Sequence, residues 1–185
     1  MAISMLSGVR ENDYERLVAC LGVAHRSKEA RTRLLRAGHD ALSALRRGLR
    51  DPDPQVRVGC CIVLDHHLEE EAVPDLIDNL RHEHADVRAW ALHALACDRC
   101  KEGACRPAED LVVSLAAAML ENDPSDKVRE RAAGLLGPAV HRSADALAAL
   151  RRAHRDDACA VVRKIAGWYV PGGPRYQRLK PKEKR

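Results

Sequence analysis

The chain has 185 residues, of which 46% are hydrophobic and 31% are charged, and its formal net charge is +4. Only 3% of the residues are aromatic and none is phenylalanine, which predicts a core of leucine, alanine and valine. No apolar run is long enough to cross a bilayer and the first residues lack the pattern of a secretory signal, which argues against a membrane-spanning or secreted protein and predicts a cytoplasmic one.

Two helices with a weak amphipathic pattern are predicted near the N-terminus, over residues 12–21 and 27–37. The second of them has Ala30 and Arg31 at the place where the later repeats have a valine–arginine pair. We therefore expect residues 1–39 to form a degenerate helix pair that caps the exposed end of a stack of repeats.

A short acidic stretch followed by a valine–arginine pair then occurs four times, and each copy opens a run rich in alanine and leucine. The anchor valines are Val56, Val87, Val128 and Val162, separated by intervals of 31, 41 and 34 residues. Self-similarity at such a period is typical of helical repeats, in which each unit buries one face against its neighbour. The spacing of small and apolar residues after each anchor predicts one buried stripe per helix.

A partner helix is predicted before each anchor helix, over residues 40–49, 74–81, 107–120 and 144–153. Short polar turns between the two helices of each pair make them antiparallel neighbours. The sequence thus predicts an all-α fold, a right-handed α-solenoid of about five antiparallel helix pairs, with the repeats spanning residues 40–170.

Each anchor valine is followed directly by an arginine, and acidic residues recur close to each copy of the step. The arginines are Arg57, Arg88, Arg129 and Arg163. We favour a ladder of arginine–aspartate pairs that fixes the register between adjacent repeats, because the acidic partners recur with the arginines. The alternative is a row of arginines that binds an anion.

The repeated step and the alanine and leucine positions after it resemble the HEAT-repeat family, in particular its short-repeat subclass named after phycobilisome lyases. The resemblance covers roughly residues 40–170, and the step at Asp51–Arg57 reads D-x-D-x-x-V-R. It implies a stack of helix pairs. The family includes scaffolds, adaptors, chromophore-attachment factors and, in a HEAT-like branch, DNA-repair glycosylases, so the resemblance alone does not imply one activity.

The longest interval between anchors contains a cysteine-rich insertion at about residues 96–106. Cys97, Cys100 and Cys105 follow a C-x2-C-x4-C spacing, and His93 precedes Cys97 by four residues, which places both on one helix face. Imidazole and thiolate ligands in this number suit one structural zinc ion. The two alternatives are an irregular loop without metal and a redox or disulfide pair formed by Cys97 and Cys100.

The helical pattern ends at Pro171-Gly-Gly-Pro174, and residues 171–185 are predicted to be a basic, flexible tail. Residues 151–185 carry a balance of +8, whereas the preceding residues carry −4. The tail either keeps the protein soluble or binds phosphates or an acidic partner. The candidate binding residues are Arg175, Tyr176, Arg178, Lys180, Lys182, Lys184 and Arg185.

The sequence contains no recognisable nucleophile, metalloprotease or phosphate-loop motif, and neither catalytic nor cofactor-binding residues are assigned. By analogy with the fold, we expect a non-enzymatic adaptor or scaffold that binds a protein partner through its curved helical surface. One alternative is nucleic-acid binding through the basic C-terminal segment. Glycosylase activity would in addition require a basic concave face. The other is a lyase-like or chaperone subunit.

Overall fold

The computed structural model describes residues 11–97, 99–100 and 105–181, and the regular secondary structure of these residues is entirely helical. Eleven α-helices occur within the described residues. They are α1 (Glu11–Ala19), α2 (Ala24–Ala37), α3 (Leu42–Gly48), α4 (Pro54–His66), α5 (Val73–Asn79), α6 (Ala85–Ala96), α7 (Glu109–Asn122), α8 (Asp126–Leu136), α9 (Ala144–Asp156), α10 (Ala160–Gly167) and α11 (Pro174–Leu179).

The first ten helices form five successive pairs, from α1 with α2 to α9 with α10. The second helices of the pairs, α2, α4, α6, α8 and α10, pack side by side in a continuous row. The prediction of an all-helical stack of about five helix pairs is therefore confirmed. None of the helices within the described residues is long and apolar enough to span a membrane.

Each anchor arginine fastens the loop that precedes its own helix. Arg88 donates from Nη1 to the carbonyl oxygen of His82, six residues earlier, at 2.8 Å. Arg129 and Arg163 form the same bond with the carbonyl oxygens of Asp123 and Asp157, and Arg57 donates from Nε to the carbonyl oxygen of Asp51. Because the arginine saturates a loop carbonyl that has no partner in the helix, the repeated valine–arginine step defines where each anchor helix begins.

Two of these arginines also reach the next repeat. Arg88 forms two hydrogen bonds with the Asp123 carboxylate, at 2.7 and 2.8 Å, and Arg129 forms two with Asp157, at 2.8 and 3.1 Å. Burial raises the pKa of Asp157, but the bonds from Arg129 and from the Cys159 N–H outweigh it, so the pKa lies below its ordinary value. The predicted arginine–aspartate ladder is confirmed at these two junctions.

The junction before them has a different partner. Arg57 donates to the side-chain oxygen of Asn79 at 3.2 Å, and His82 occupies the position that is Asp123 or Asp157 in the later repeats. His82 Nδ1 accepts the His84 N–H at 3.0 Å, just as Asp123 Oδ1 accepts the Ser125 N–H at 2.9 Å. Burial, followed by the charge of nearby Arg57, lowers the pKa of His82 below 6.5. Histidine therefore reproduces the loop bond but supplies no negative charge.

Replacing His82 with aspartate is expected to raise the free energy of unfolding by about 1 kcal/mol at neutral pH, because a carboxylate keeps the loop bond and adds a charged acceptor for Arg57. The pKa of His82 is lower in the folded chain, so the unfolded chain binds the proton first. The stability that neutral His82 contributes is thus complete above pH 6.5 and is lost as the pH falls below that value.

Urea unfolding of the wild type and of His82→Asp, at neutral pH and in mild acid, measures both effects. The stability difference between the two proteins should widen as the pH falls. Equal stability at every pH would mean that Asn79 already satisfies Arg57 and that the ladder is complete without a carboxylate at this junction.

The core consists of two clusters of buried side chains that meet on α6. Ala91, Ala94 and Leu95 belong to the N-terminal cluster, whereas Ala89 and Leu92 belong to the C-terminal one. The period of the helix places these two sets on opposite sides, so α6 is buried from both directions. The two halves of the stack are therefore coupled mainly through α6 and the ion pair of Arg88 on it, and Leu80 and Leu115 also pack against both clusters.

The first part of the predicted flexible tail contains a short helix. Residues Pro174–Leu179 form α11, which begins after the break at Pro171–Gly173. The N–H groups of Arg175 and Tyr176 both donate to the carbonyl oxygen of Trp168 at 2.9 Å. These bonds join α11 to the last repeat in a part of the predicted flexible tail, and residues 182–185 lie outside the described residues.

Candidate functional site

A groove of about 690 Å³ runs along the row of second helices in the C-terminal half of the stack. Its lining comes from α6, α8 and α10, together with α7, α11 and parts of the segment between α6 and α7. The interruption of the repeat and the C-terminal helix thus form two of its boundaries. A concavity of this size, built from several elements, is the strongest candidate for a binding site among the described residues.

The floor of the groove is apolar. Val112 and Val113 of α7, Leu135 of α8 and Ile165 of α10 line it, and the aromatic rings of Trp168 and Tyr169 close one end. The latter residues follow α10 directly, so the groove ends at the last repeat. Such a surface buries apolar side chains of a ligand without any rearrangement of the helices.

The rim of the groove is basic. Five basic side chains and two acidic ones line it, which gives a balance of +3: Arg99, Lys127, Arg131, Arg142 and Arg175 against Glu109 and Glu130. This balance contrasts with the −4 of residues 1–150. The groove is therefore a positively charged region on an acidic body, and it attracts negatively charged ligands.

Aromatic rings and ion pairs hold several of these basic groups in place. The guanidinium of Arg131 lies 4.6 Å from the ring centre of Trp90, and that of Arg175 lies 4.8 Å from the ring centre of Trp168. Arg142 pairs with Glu109 at 3.0 Å. Since stacking leaves the guanidinium edges able to donate hydrogen bonds, Arg131 and Arg175 are positioned in advance for a carboxylate or phosphate.

The predicted zinc ligands lie at the end of α6, at the edge of the same groove. His93, Cys97 and Cys100 come together there, and the fourth ligand-type atom of the group belongs to Asp65 of α4. Cys105 is not part of this group, because its N–H donates to the Leu68 carbonyl oxygen at 2.8 Å and its side chain packs against the N-terminal core. The structure thus brings together three of the four predicted residues and adds a carboxylate.

The Cys100 thiol is strongly perturbed. Burial, followed by its hydrogen bonds with Asp65 and Cys97, raises its pKa to about 12. A pKa in this range keeps Cys100 protonated at neutral pH, whereas redox-active cysteines depend on an accessible thiolate. The redox interpretation of this C-x-x-C pair stays a prediction.

The predicted partner-binding residues of the C-terminal segment lie in different places in the structure. Arg175 lines the groove, and Tyr176 packs its ring against His141 with the ring centres 4.3 Å apart. Arg178 and Lys180 are exposed on the outside of α11. Lys182, Lys184 and Arg185 lie outside the described residues. The basic side chains of α8 are not among the predicted residues, because they carry no motif and are brought to the rim only by the stacking of the helices.

Comparison with known proteins identifies the class of protein that this stack of helix pairs represents. A family model described as HEAT repeats matches residues 3–96, which is half of the chain. The chain therefore belongs to the HEAT-repeat family, and the same pairing of helices continues beyond the matched residues to Gly167. A search of curated proteins finds no match.

Proposed function

We propose that the protein is a non-enzymatic adaptor that binds an acidic, amphipathic segment of a partner protein in the groove. The observation that carries this proposal is the pairing of an apolar floor with a rim whose charge balance is +3. A segment with apolar side chains on one face and carboxylates along its edges matches both features. Docking of an amphipathic segment into a hydrophobic groove is a common mode of recognition.

Each part of the groove contributes to recognition in a different way. The floor around Leu135 and Ile165 supplies affinity by removing apolar surface from water. Arg131 and Arg175, held by their aromatic neighbours, supply orientation because a guanidinium binds a carboxylate through two parallel hydrogen bonds. The surrounding positive potential speeds association with acidic partners and disfavours basic ones.

A nucleic acid is the other class of polyanion that a basic groove could accept. The lining favours a protein, because interfaces with nucleic acids are more polar and more strongly basic than this one. Nucleic-acid binding is therefore the alternative that the following binding experiment distinguishes from protein binding.

The test measures binding of three labelled probes to the full chain by fluorescence anisotropy. The probes are a designed peptide with leucine on one helix face and glutamate on the other, its lysine counterpart, and a short duplex DNA. The acidic peptide is expected to bind more tightly than the other two. Arg131→Glu should weaken its binding about tenfold, which corresponds to roughly 1.4 kcal/mol.

The matched control is Arg151→Glu, which makes the same change of charge at an exposed position outside the groove lining. It should leave the affinity within about twofold of the wild type, since salt screens an exposed charge that does not line the groove. Equal loss in both variants would indicate only a general charge effect. Preferred binding of the duplex, weakened by Arg131→Glu, would replace the adaptor proposal with nucleic-acid binding.

A further inference from the structure

We propose that Asp65, His93, Cys97 and Cys100 are the four ligands of a zinc ion that joins α4, the end of α6 and the turn that follows it. This ligand set differs from the one that cysteine spacing suggests, because a carboxylate takes the place of Cys105. The proposal does not depend on what the groove binds.

The separations between the ligand atoms are close to those of a tetrahedral zinc site, although the two sulfurs are closer together and the widest pair is farther apart than bound ligands would be. All four lie within 4.8 Å of one another. The Cys97 and Cys100 sulfurs are 3.2 Å apart, Cys100 Sγ is 3.8 Å from His93 Nε2, and His93 Nε2 is 3.4 Å from Asp65 Oδ2. Zinc–ligand bonds of about 2.0–2.3 Å in a tetrahedral arrangement place neighbouring ligand atoms about 3.3–3.8 Å apart.

The elements that carry the ligands converge for reasons that are visible in the fold. His93 and Cys97 are one helical turn apart at the end of α6, and Cys100 follows in a turn. Asp65 lies near the end of α4, which packs closely against α6. Two neighbouring helices and one turn therefore supply the whole ligand set, and the fold brings it together before any ion binds.

The burial of Asp65 supports a cationic ligand at this place. Its side chain is only 4% exposed. Its carboxylate lies beside an imidazole and two thiols, and these are donor groups that a divalent metal ion can bind.

The chemistry of the four ligands indicates which metal ion binds and which role the ion has. Two cysteine sulfurs and one imidazole exclude magnesium and calcium, which bind oxygen ligands, and favour zinc. Four protein ligands fill a tetrahedral shell, which is the arrangement of a structural rather than a catalytic site. A bound ion would fasten the start of the interruption between α6 and α7 to the stack, and His93 and Cys97 also line the groove, so the ion would fix one edge of it.

The decisive experiment measures zinc by mass spectrometry in full-length protein, purified with a thiol reductant and without chelators. We expect about one zinc ion per chain in the wild type and in Cys105→Ser, and a value near zero in Cys97→Ser and Asp65→Asn. Cys105→Ser is the matched control, because it removes a neighbouring cysteine that cysteine spacing alone includes among the ligands.

A second measurement does not depend on whether the variants fold. Cobalt added to metal-free wild-type protein should give the visible bands of tetrahedral cobalt and a charge-transfer intensity expected for two thiolate ligands. Three results would overturn the proposal. They are a wild type without zinc, a cobalt spectrum with three thiolates, and zinc lost from Cys105→Ser but retained by Asp65→Asn. A disulfide between Cys97 and Cys100 in freshly purified protein without zinc would count as the first of these results, a wild type without zinc.

Discussion

Replacing Arg88 with alanine is expected to lower the free energy of unfolding by about 3–5 kcal/mol, because it leaves the buried Asp123 carboxylate without its cationic partner. The Arg88 side chain is 10% exposed and that of Asp123 is 5% exposed. The Asp123 hydrogen bond also raises the pKa of Arg88, so the guanidinium stays charged throughout the range in which the protein would be studied. Arg88 further donates to the carbonyl oxygens of His82 and Glu83, which would lose these bonds as well.

The loss should separate the two halves of the stack. Arg88 lies on α6, the helix on which the two core clusters meet, and a repeat protein is held together by interfaces between neighbours only. With a total stability of about 5–15 kcal/mol, a loss of this size at one interface is enough to uncouple the units on either side. Urea unfolding of Arg88→Ala, followed by circular dichroism, should therefore show two transitions instead of one.

The control for Arg88→Ala is the double variant Arg88→Met, Asp123→Leu, which removes both charges and fills the site with apolar side chains. It should recover part of the lost stability, since no unpaired charge stays buried, while the bonds of Arg88 to the loop carbonyls and of Asp123 to the Ser125 N–H are still lost. A loss of less than about 1 kcal/mol in Arg88→Ala, the range of exposed ion pairs, would contradict the assignment of this contact as a buried one.

The ladder shows which features of this fold are present in the sequence. The repeated step predicts both the helix starts and the arginine–aspartate pairs, because each is a local pattern with a fixed spacing. His82 departs from the repeated sequence pattern, but it keeps one of the hydrogen bonds of that pattern. Its Nδ1 accepts the backbone N–H of His84, as an aspartate carboxylate does in the later repeats. The partner of Arg57 could not be predicted, because Asn79 is at the end of another helix and only packing brings it near.

The candidate sites show which features could not be predicted from the sequence. His93, Cys97 and Cys100 are close in the chain, and sequence spacing alone places them together. Asp65 precedes His93 by nearly a whole repeat, and nothing in its neighbourhood distinguishes it from other acidic residues. It joins the group because α4 packs on α6. In the same way, the basic rim of the groove gathers side chains from separate helices, each of which looks like an ordinary exposed residue in the sequence.

Replacing Tyr169 with alanine is expected to cost about 3–5 kcal/mol, with the loss confined to the C-terminal end of the stack. The side chain is 4% exposed and its ring covers the backbone of Gly137, where an added Cβ would lie 2.1 Å from the ring. Its hydroxyl accepts a hydrogen bond from Arg175 at 2.5 Å. The variant thus removes both the packing of the last repeat and one of the contacts that hold α11.

Hydrogen exchange resolves where the stability is lost. In Tyr169→Ala, the amides of α9, α10 and α11 should exchange faster, whereas those of α1 to α4 should keep their wild-type rates, because a terminal unit of a repeat stack frays without opening the others. Tyr169→Phe keeps the ring and loses only the bond from Arg175, so it should cost about 0.5–1.5 kcal/mol.

Gly137→Ala tests the same contact from the other side. The added methyl group cannot fit beneath the Tyr169 ring, so the ring has to move and the last repeat should lose about 1–3 kcal/mol. If Tyr169→Ala and Gly137→Ala act through the same interface, their combined cost will be clearly smaller than the sum of the single costs. Full additivity, or faster exchange throughout the stack, would mean that Tyr169 does not act as the local closure of the C-terminal end.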